Sequence, residues 1–142
     1  MVSIGRLAMR QVMTAHIDAE SARGLRQESP WWQNLNGSWQ LKLWANPDAV
    51  PNTAVKTTLS SKVGWLSVEV PGNWTMQGTG DFPHYTNVQM PFALRTPEVP
   101  EKNVTGVYRR TFTVQRGWKS RRTIIHIGGA ESVHALFING SF

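Results

Sequence analysis

Hydrophobic and polar residues alternate along the stretch LNGSWQLKLW. Trp39, Leu41 and Leu43 fall on one face of an extended chain, and Gln40, Lys42 and Trp44 fall on the other. An alternation with period two is typical of a β-strand that buries one face. The stretch therefore predicts a first strand, entered through an Asn-Gly dipeptide.

A second alternation follows in VGWLSVEV. Leu66, Val68 and Val70 are predicted to point inward, and the polar residues between them outward. Pro71-Gly72 ends this strand, because proline cannot donate to a ladder and glycine favours a turn.

Three further strands are predicted in the second half of the chain. VYRRTFTV places Tyr108, Phe112 and Val114 on one side, RTIIHI forms the fourth strand, and Ser132–Ile138 forms the fifth. Gly128-Gly129 is predicted to turn between the last two. Asn139-Gly140 then predicts a two-residue hairpin turn, since both residue types tolerate positive φ.

Two segments lack a clean period. Residues 1–29 have a broken helical pattern, which predicts a short helix or a loose arm. Residues 73–106 contain four prolines and no period, and a connection this long inside a compact domain is usually functional or covers something.

Short strands, Gly/Pro turns and little helix predict an all-β sandwich over residues 30–142. The predicted hairpin turn has only Ser141 and Phe142 after it. A sheet rarely leaves such an edge unpaired. We therefore expect an incomplete sandwich, truncated at its C-terminal end, and a chain that is the front part of a longer one.

Composition narrows the function classes. The chain has 142 residues and no cysteine, which excludes a disulfide scaffold and a thiolate site. Its seven Trp indicate interfaces, pockets or sugar platforms in addition to core. No apolar run is long enough for a membrane span, so we expect no membrane partner.

The net charge of +6 leaves two interpretations. A basic patch for nucleic acid is one, and solvated strand faces are the other. The second is favoured, and no nucleic-acid partner is expected, because the basic residues alternate with core positions. They are Arg109, Arg110, Arg116, Lys119, Arg121 and Arg122.

Catalytic chemistry is not apparent in the residues themselves. General acid/base chemistry by carboxyls needs two of them flanking the reacting bond, and no such pair can be nominated among the acids. Asp81, Glu98 and Glu101 lie in the long irregular stretch without a partner for general acid/base work. The four His are scattered without metal-ligand spacing, so neither a catalytic residue nor a metal site is predicted.

Five segments occur in a recognisable order: LNGSWQLKLW, VPGNWTMQG, PHYTNVQMPF, PEVPEKNVTGVYRRTFTV and HIGGAESVHALFING. Together they resemble the N-terminal domain of bacterial β-galactosidases of glycoside hydrolase family 2, over Ser29–Phe142. The resemblance implies a jelly-roll, galactose-binding-like β-sandwich, often described as sugar-binding.

The resemblance also implies an enzymatic context outside this chain. It implies that the parent is a cytoplasmic homo-oligomer that hydrolyses terminal β-galactosides with retention. Both catalytic carboxylates would lie in a downstream barrel. The family commonly uses Mg and Na, bound through residues outside this chain, so no cofactor is expected here and the chain alone should be inactive.

The resemblance implies one substrate-binding residue in this chain. Asn87 matches the Asn of the family's Tyr-Thr-Asn-Val motif, which reaches into the barrel's active site and hydrogen-bonds galactosyl hydroxyls. The chain departs from the family at Val104, where proline is usual, and in the stretch FALRTPE, which is usually proline-rich. Trp74 could stack on sugar, but packing beneath the long loop is favoured.

Two other functions stay open at this point. A free-standing carbohydrate-binding module would need a closed sandwich and an exposed Trp platform. A non-functional truncation product would need neither.

Overall fold

A computed structural model describes residues 14–56, 63–85, 87, 97–131 and 133–142. The chain divides into two compact units. One contains the chain up to Leu35 together with Thr113–Glu131, and the other contains Asn36–Phe112 together with Ser132–Phe142.

The second unit contains an antiparallel three-stranded sheet in the order β2-β1-β3. Its strands are β1 (Gly37–Trp44), β2 (Leu66–Val70) and β3 (Thr105–Arg109). The register pairs Trp39 with Val68 on one side of β1, and Leu41 with Tyr108 on the other. The first two predicted strands are therefore confirmed.

The core lies on one face of this sheet. Leu41 is 0% exposed and Val68 is 2% exposed, and they stand on neighbouring strands. Leu66 shares the face of Val68 by period but is 43% exposed, so its predicted burial is wrong. Leu66 is the first residue of β2 and forms the last pair of the β1–β2 register, with Leu41.

The third predicted strand is correct only in its first half. β3 begins at Thr105 and ends at Arg109, while Phe112 and Val114 are 42% and 43% exposed. Just after β3 the Arg110 guanidinium donates to the Asn36 carbonyl oxygen at 2.7 Å. The backbone ladder predicted for VYRRTFTV ends at Arg109.

The predicted fourth and fifth strands are wrong for the described part of those segments. Residues 122–127 and 133–137 have no regular strand structure, and Ser132 lies outside the described residues. The predicted turn between them shows only a bend, at Gly128. Alternation specifies which face of a segment is apolar, but a strand also needs a backbone partner.

The predicted turn at the end of the chain is confirmed. Asn139 and Gly140 have φ angles of 52° and 81°. Ile138 and Ser141 exchange backbone hydrogen bonds of 2.9 and 3.0 Å across them. Two consecutive positive φ angles are the conformation for which an Asn-Gly pair is suited.

The first unit is held by short turns and Trp side chains. Its described N-terminal part contains two 3₁₀ turns, Ser21–Arg23 and Arg26–Glu28, within the segment for which a short helix or a loose arm was predicted. The Trp118 indole donates to the Pro30 carbonyl oxygen at 3.0 Å. Across the described residues the regular structure consists of strands and 3₁₀ turns, which confirms the all-β class.

Asp18 and Ser21 close the first of these turns. The Ser21 amide donates to the Asp18 carboxylate at 2.8 Å, and the Ser21 hydroxyl donates to the Asp18 carbonyl oxygen at 3.0 Å. The backbone and then the side chain of Ser21 lower the pKa of Asp18 below its usual value. A lowered carboxyl pKa stabilises the turn above that usual value, and this contribution is lost as pH falls through the lowered pKa.

Ser21→Ala should therefore raise the pKa of Asp18 part of the way, because the amide remains and the hydroxyl is lost. An NMR pH titration of the Asp18 carboxyl carbon in both proteins measures this change. An unchanged titration midpoint would show that the hydroxyl has no part in lowering the pKa.

Candidate functional site

The long loop, residues 71–104 between β2 and β3, is fixed to β2 by one amide side chain. Gln77 Oε1 accepts from the Glu69 amide at 2.7 Å, and Gln77 Nε2 donates to the Glu69 carbonyl oxygen at 3.0 Å. Strand β2 lies at the edge of the three-stranded sheet. The Gln77 amide therefore takes the place of a neighbouring strand at Glu69, which is one way to cover a sheet edge.

Gln77→Ala should lower the free energy of unfolding by about 1 kcal/mol, since two hydrogen bonds are lost at an exposed strand edge. Urea unfolding followed by far-UV circular dichroism measures the change. Gln115→Ala is the matched control, because Gln115 is exposed and its side chain makes no capping hydrogen bond. Equal stability of the two variants would contradict the proposed role of Gln77.

Trp74 fixes the same loop to β3. Its ring lies 6.3 Å from the Tyr108 ring, measured between centroids, at an interplanar angle of 32°. A Cβ at Gly106 would lie 2.8 Å from the Trp74 ring, so only glycine permits this approach. Burial raises the pKa of Tyr108. The packing interpretation of Trp74 agrees with these contacts.

Asp81 accepts the indole hydrogen of Trp74, with 2.7 Å between Nε1 and Oδ2. The sequence suggested no partner for general acid/base work by Asp81, and it did not predict this bond to Trp74. A half-buried Trp seeks an acceptor for its N–H, and that requirement was the signal that could have led to Asp81. Glu98 and Glu101, the other acids considered, are exposed.

The far end of the long loop is also fixed to the sheet. The Asn103 amide donates to the Ala45 carbonyl oxygen at 2.9 Å, just after β1. The Asn46 side chain donates to the Glu101 carbonyl oxygen at 3.4 Å. Both ends of the segment between Asp81 and Asn103 are therefore attached to the strands.

Asn87 lies in this segment and is exposed. Tyr85, two residues before it, is 76% exposed. Thr86 and Val88 of the Tyr-Thr-Asn-Val motif lie outside the described residues, as do residues 92–96 of FALRTPE. The role of Asn87 in substrate binding stays a prediction.

The polar face of the sheet carries a row of stacked cations and indoles. The Arg109 guanidinium lies 3.6 Å from the centroid of the Trp65 ring, and its Nε donates to Gln40 at 2.8 Å. Trp65 meets Trp44 edge to face at 6.0 Å, and the Lys42 ammonium lies 5.6 Å from the Trp44 centroid. Burial lowers the pKa of Arg109.

Each of the seven Trp residues contacts a cationic side chain or donates an indole hydrogen bond. Five lie near a cationic side chain, and the other two donate their indole hydrogens to oxygen acceptors. Cation–π contacts of this type stabilise by about 0.5–1 kcal/mol at exposed sites. The high Trp content is thus used within the chain, and three of the six clustered basic residues, Arg109, Arg110 and Arg121, lie near indoles.

In the described part of the chain, no group of three His, Cys, Asp or Glu residues could hold a metal ion. No helix within that part is long and apolar enough to span a membrane. A shallow depression of about 370 Å³ lies in the first unit and contains no residue of the long loop; it is lined by His16, Asp18, Glu20, Ser21, Gly24 and Glu28.

The family model described as "Glycosyl hydrolases family 2, sugar binding domain" matches residues 32–142. The chain belongs to this family. The match begins before β1 and includes all three strands and the long loop. The family resemblance noted in the sequence is confirmed, and the open sheet is part of a family 2 sugar-binding domain.

Curated β-galactosidases are similar to this family 2 domain. The enzyme from Psychromonas ingrahamii is 43% identical over 114 residues, which is 80% of this chain and 11% of the relative. The enzyme from Vibrio cholerae is 40% identical, over 76% of the chain and 10% of the relative. The enzyme from Yersinia pestis is 39% identical, over 88% of the chain and 12% of the relative. The domain thus spans about a tenth of the length of these relatives.

Proposed function

We propose that this family 2 domain serves in a β-galactosidase and supplies the loop that carries Asn87 to the substrate. The observation that supports the proposal is the family match over residues 32–142, together with about 40% identity to curated β-galactosidases. The reaction is the hydrolysis of terminal β-galactosides with retention. Its two carboxylates come from outside these residues.

The chemistry of Asn87 suits this role. Its side-chain amide offers two donors and an acceptor, which can pair with adjacent sugar hydroxyls. A buried amide left without these partners costs roughly 1–3 kcal/mol, so a closed site favours the sugar that satisfies it. The two attached ends of the loop support this proposal, because they limit where Asn87 can lie.

The rest of the proposed context follows the family. We expect Mg and Na to bind through residues outside this chain, and the enzyme to be a cytoplasmic homo-oligomer. A β-galactoside is the expected substrate.

A hybrid enzyme tests the proposal. In it, the segment of the Psychromonas ingrahamii β-galactosidase that aligns with this chain over 114 residues is replaced by the corresponding residues of this chain. The hybrid should hydrolyse a chromogenic β-galactoside, and the 142-residue chain alone should not. A soluble hybrid that melts cooperatively but does not turn over the substrate would contradict the proposed function.

The isolated chain tests the alternative of a free-standing carbohydrate-binding module. Binding of galactose by the chain, together with an inactive hybrid, would indicate a free-standing carbohydrate-binding module. Isothermal titration calorimetry of the chain with galactose provides that measurement.

A further inference from the structure

Trp74, Thr79 and Asp81 join the two ends of a short segment of the long loop; we call these three residues the indole clamp. The Trp74 indole donates to Asp81 Oδ2 at 2.7 Å. The Thr79 hydroxyl donates to the Trp74 carbonyl oxygen at 3.0 Å and accepts from the Asp81 backbone amide at 3.4 Å. The clamp therefore fixes both the side chain and the backbone of Asp81.

The clamp is attached to the sheet through Trp74. The ring packs against Tyr108 and over Gly106, which both belong to β3. Asp81 is thus held at a defined place beside β3. It is also the last residue of the clamp before the chain runs on to Asn87.

We infer that Asp81 is a positioning residue for Asn87, an inference that rests on the proposed function. Fixing the start of a loop reduces the number of conformations that its residues sample, so less conformational entropy is lost when Asn87 meets the sugar. The Asn103–Ala45 hydrogen bond fixes the other end. Loss of the Asp81 acceptor releases only the first end.

A purely structural role for Asp81 makes a different prediction. It would lower the melting temperature in every background and would leave kcat/KM unchanged well below that temperature. A positioning role lowers kcat/KM only while Asn87 is present. Asp81→Asn shows whether the acceptor itself matters. The Asn carbonyl oxygen can still accept the indole hydrogen, whereas Asp81→Ala has no acceptor.

NMR of the full 142-residue chain tests the positioning directly. The heteronuclear ¹H–¹⁵N NOE at Asn87 should fall in Asp81→Ala and in Trp74→Phe, which keeps a ring but lacks the N–H. It should stay near the wild-type value in Asp81→Asn. The same NOE at Asn87 in all four proteins would overturn the inference, whatever the activity of the hybrid.

A double-mutant cycle in the hybrid enzyme completes the test. Asp81→Ala should lower kcat/KM about tenfold when Asn87 is present, and by less than twofold in the Asn87→Ala background. An equal loss in both backgrounds would overturn the positioning role and leave the proposed function intact. If Asn87→Ala alone has no effect, the proposed contact itself fails.

Discussion

Trp74→Ala should destabilise the protein more than any other single change considered, by roughly 3 kcal/mol. Truncation of a buried Trp costs about 3–5 kcal/mol, and the half-buried position of Trp74 places it near the lower end. The change removes the ring that packs on Tyr108 and Gly106, and it leaves Asp81 without its indole donor.

Urea unfolding of the full chain, followed by far-UV circular dichroism, measures this loss. Trp74→Phe helps to separate the two contributions: it retains a smaller aromatic ring and loses the hydrogen bond, which is worth about 1 kcal/mol. Met76→Ala is the control from the same loop, because Met76 is 74% exposed. A Trp74→Ala variant as stable as Met76→Ala would show that the ring does not hold the loop to β3.

The first two strands could be predicted because their alternation coincides with real partners. Leu41 and Val68 follow the period-two pattern, lie on the paired strands β1 and β2, and are almost completely buried. The Asn139-Gly140 turn could be predicted because its conformation depends on two residues alone. Local chemistry was sufficient in these cases.

The other strands could not be predicted in the same way. Phe112 and Ile124 belong to alternating stretches, yet neither lies in a strand of the described structure, and they are 42% and 62% exposed. A sequence pattern gives the apolar face of a segment but not the strand that would hydrogen-bond to it. The ladder of β3 ends at Arg109, and the next residue, Arg110, bonds to Asn36, a non-local contact that the pattern does not contain.

The two parts of the candidate site come from different sources. Asn87 came from the family resemblance, since an Asn in a loop is by itself most often a turn residue. The supports of the loop came only from the structure. Neither the two bonds of Gln77 to Glu69 nor the bond of Trp74 to Asp81 follows from spacing, because each depends on how the loop folds back on the sheet.

Asn87→Ala in the hybrid enzyme should lower kcat/KM by tenfold to a hundredfold. The amide is proposed to donate to and accept from galactosyl hydroxyls, and losing such a set of hydrogen bonds costs roughly 1–3 kcal/mol. If the contacts are stronger in the transition state than in the ground state, kcat falls as well as kcat/KM. The melting temperature should not change, because Asn87 is exposed in the domain itself.

A comparison of Asn87→Ala with Asn103→Ala tests directly whether Asn87 contacts the substrate. Asn103 is also an exposed Asn of the long loop, and its hydrogen bonds to Ala45 and Thr105 use backbone atoms, which the substitution retains. The hydrolysis of a chromogenic β-galactoside by both hybrids is measured as kcat and KM. We expect a loss of at least tenfold in kcat/KM for Asn87→Ala and less than twofold for Asn103→Ala. Unchanged kinetic constants for Asn87→Ala in an active hybrid would contradict a substrate contact by Asn87.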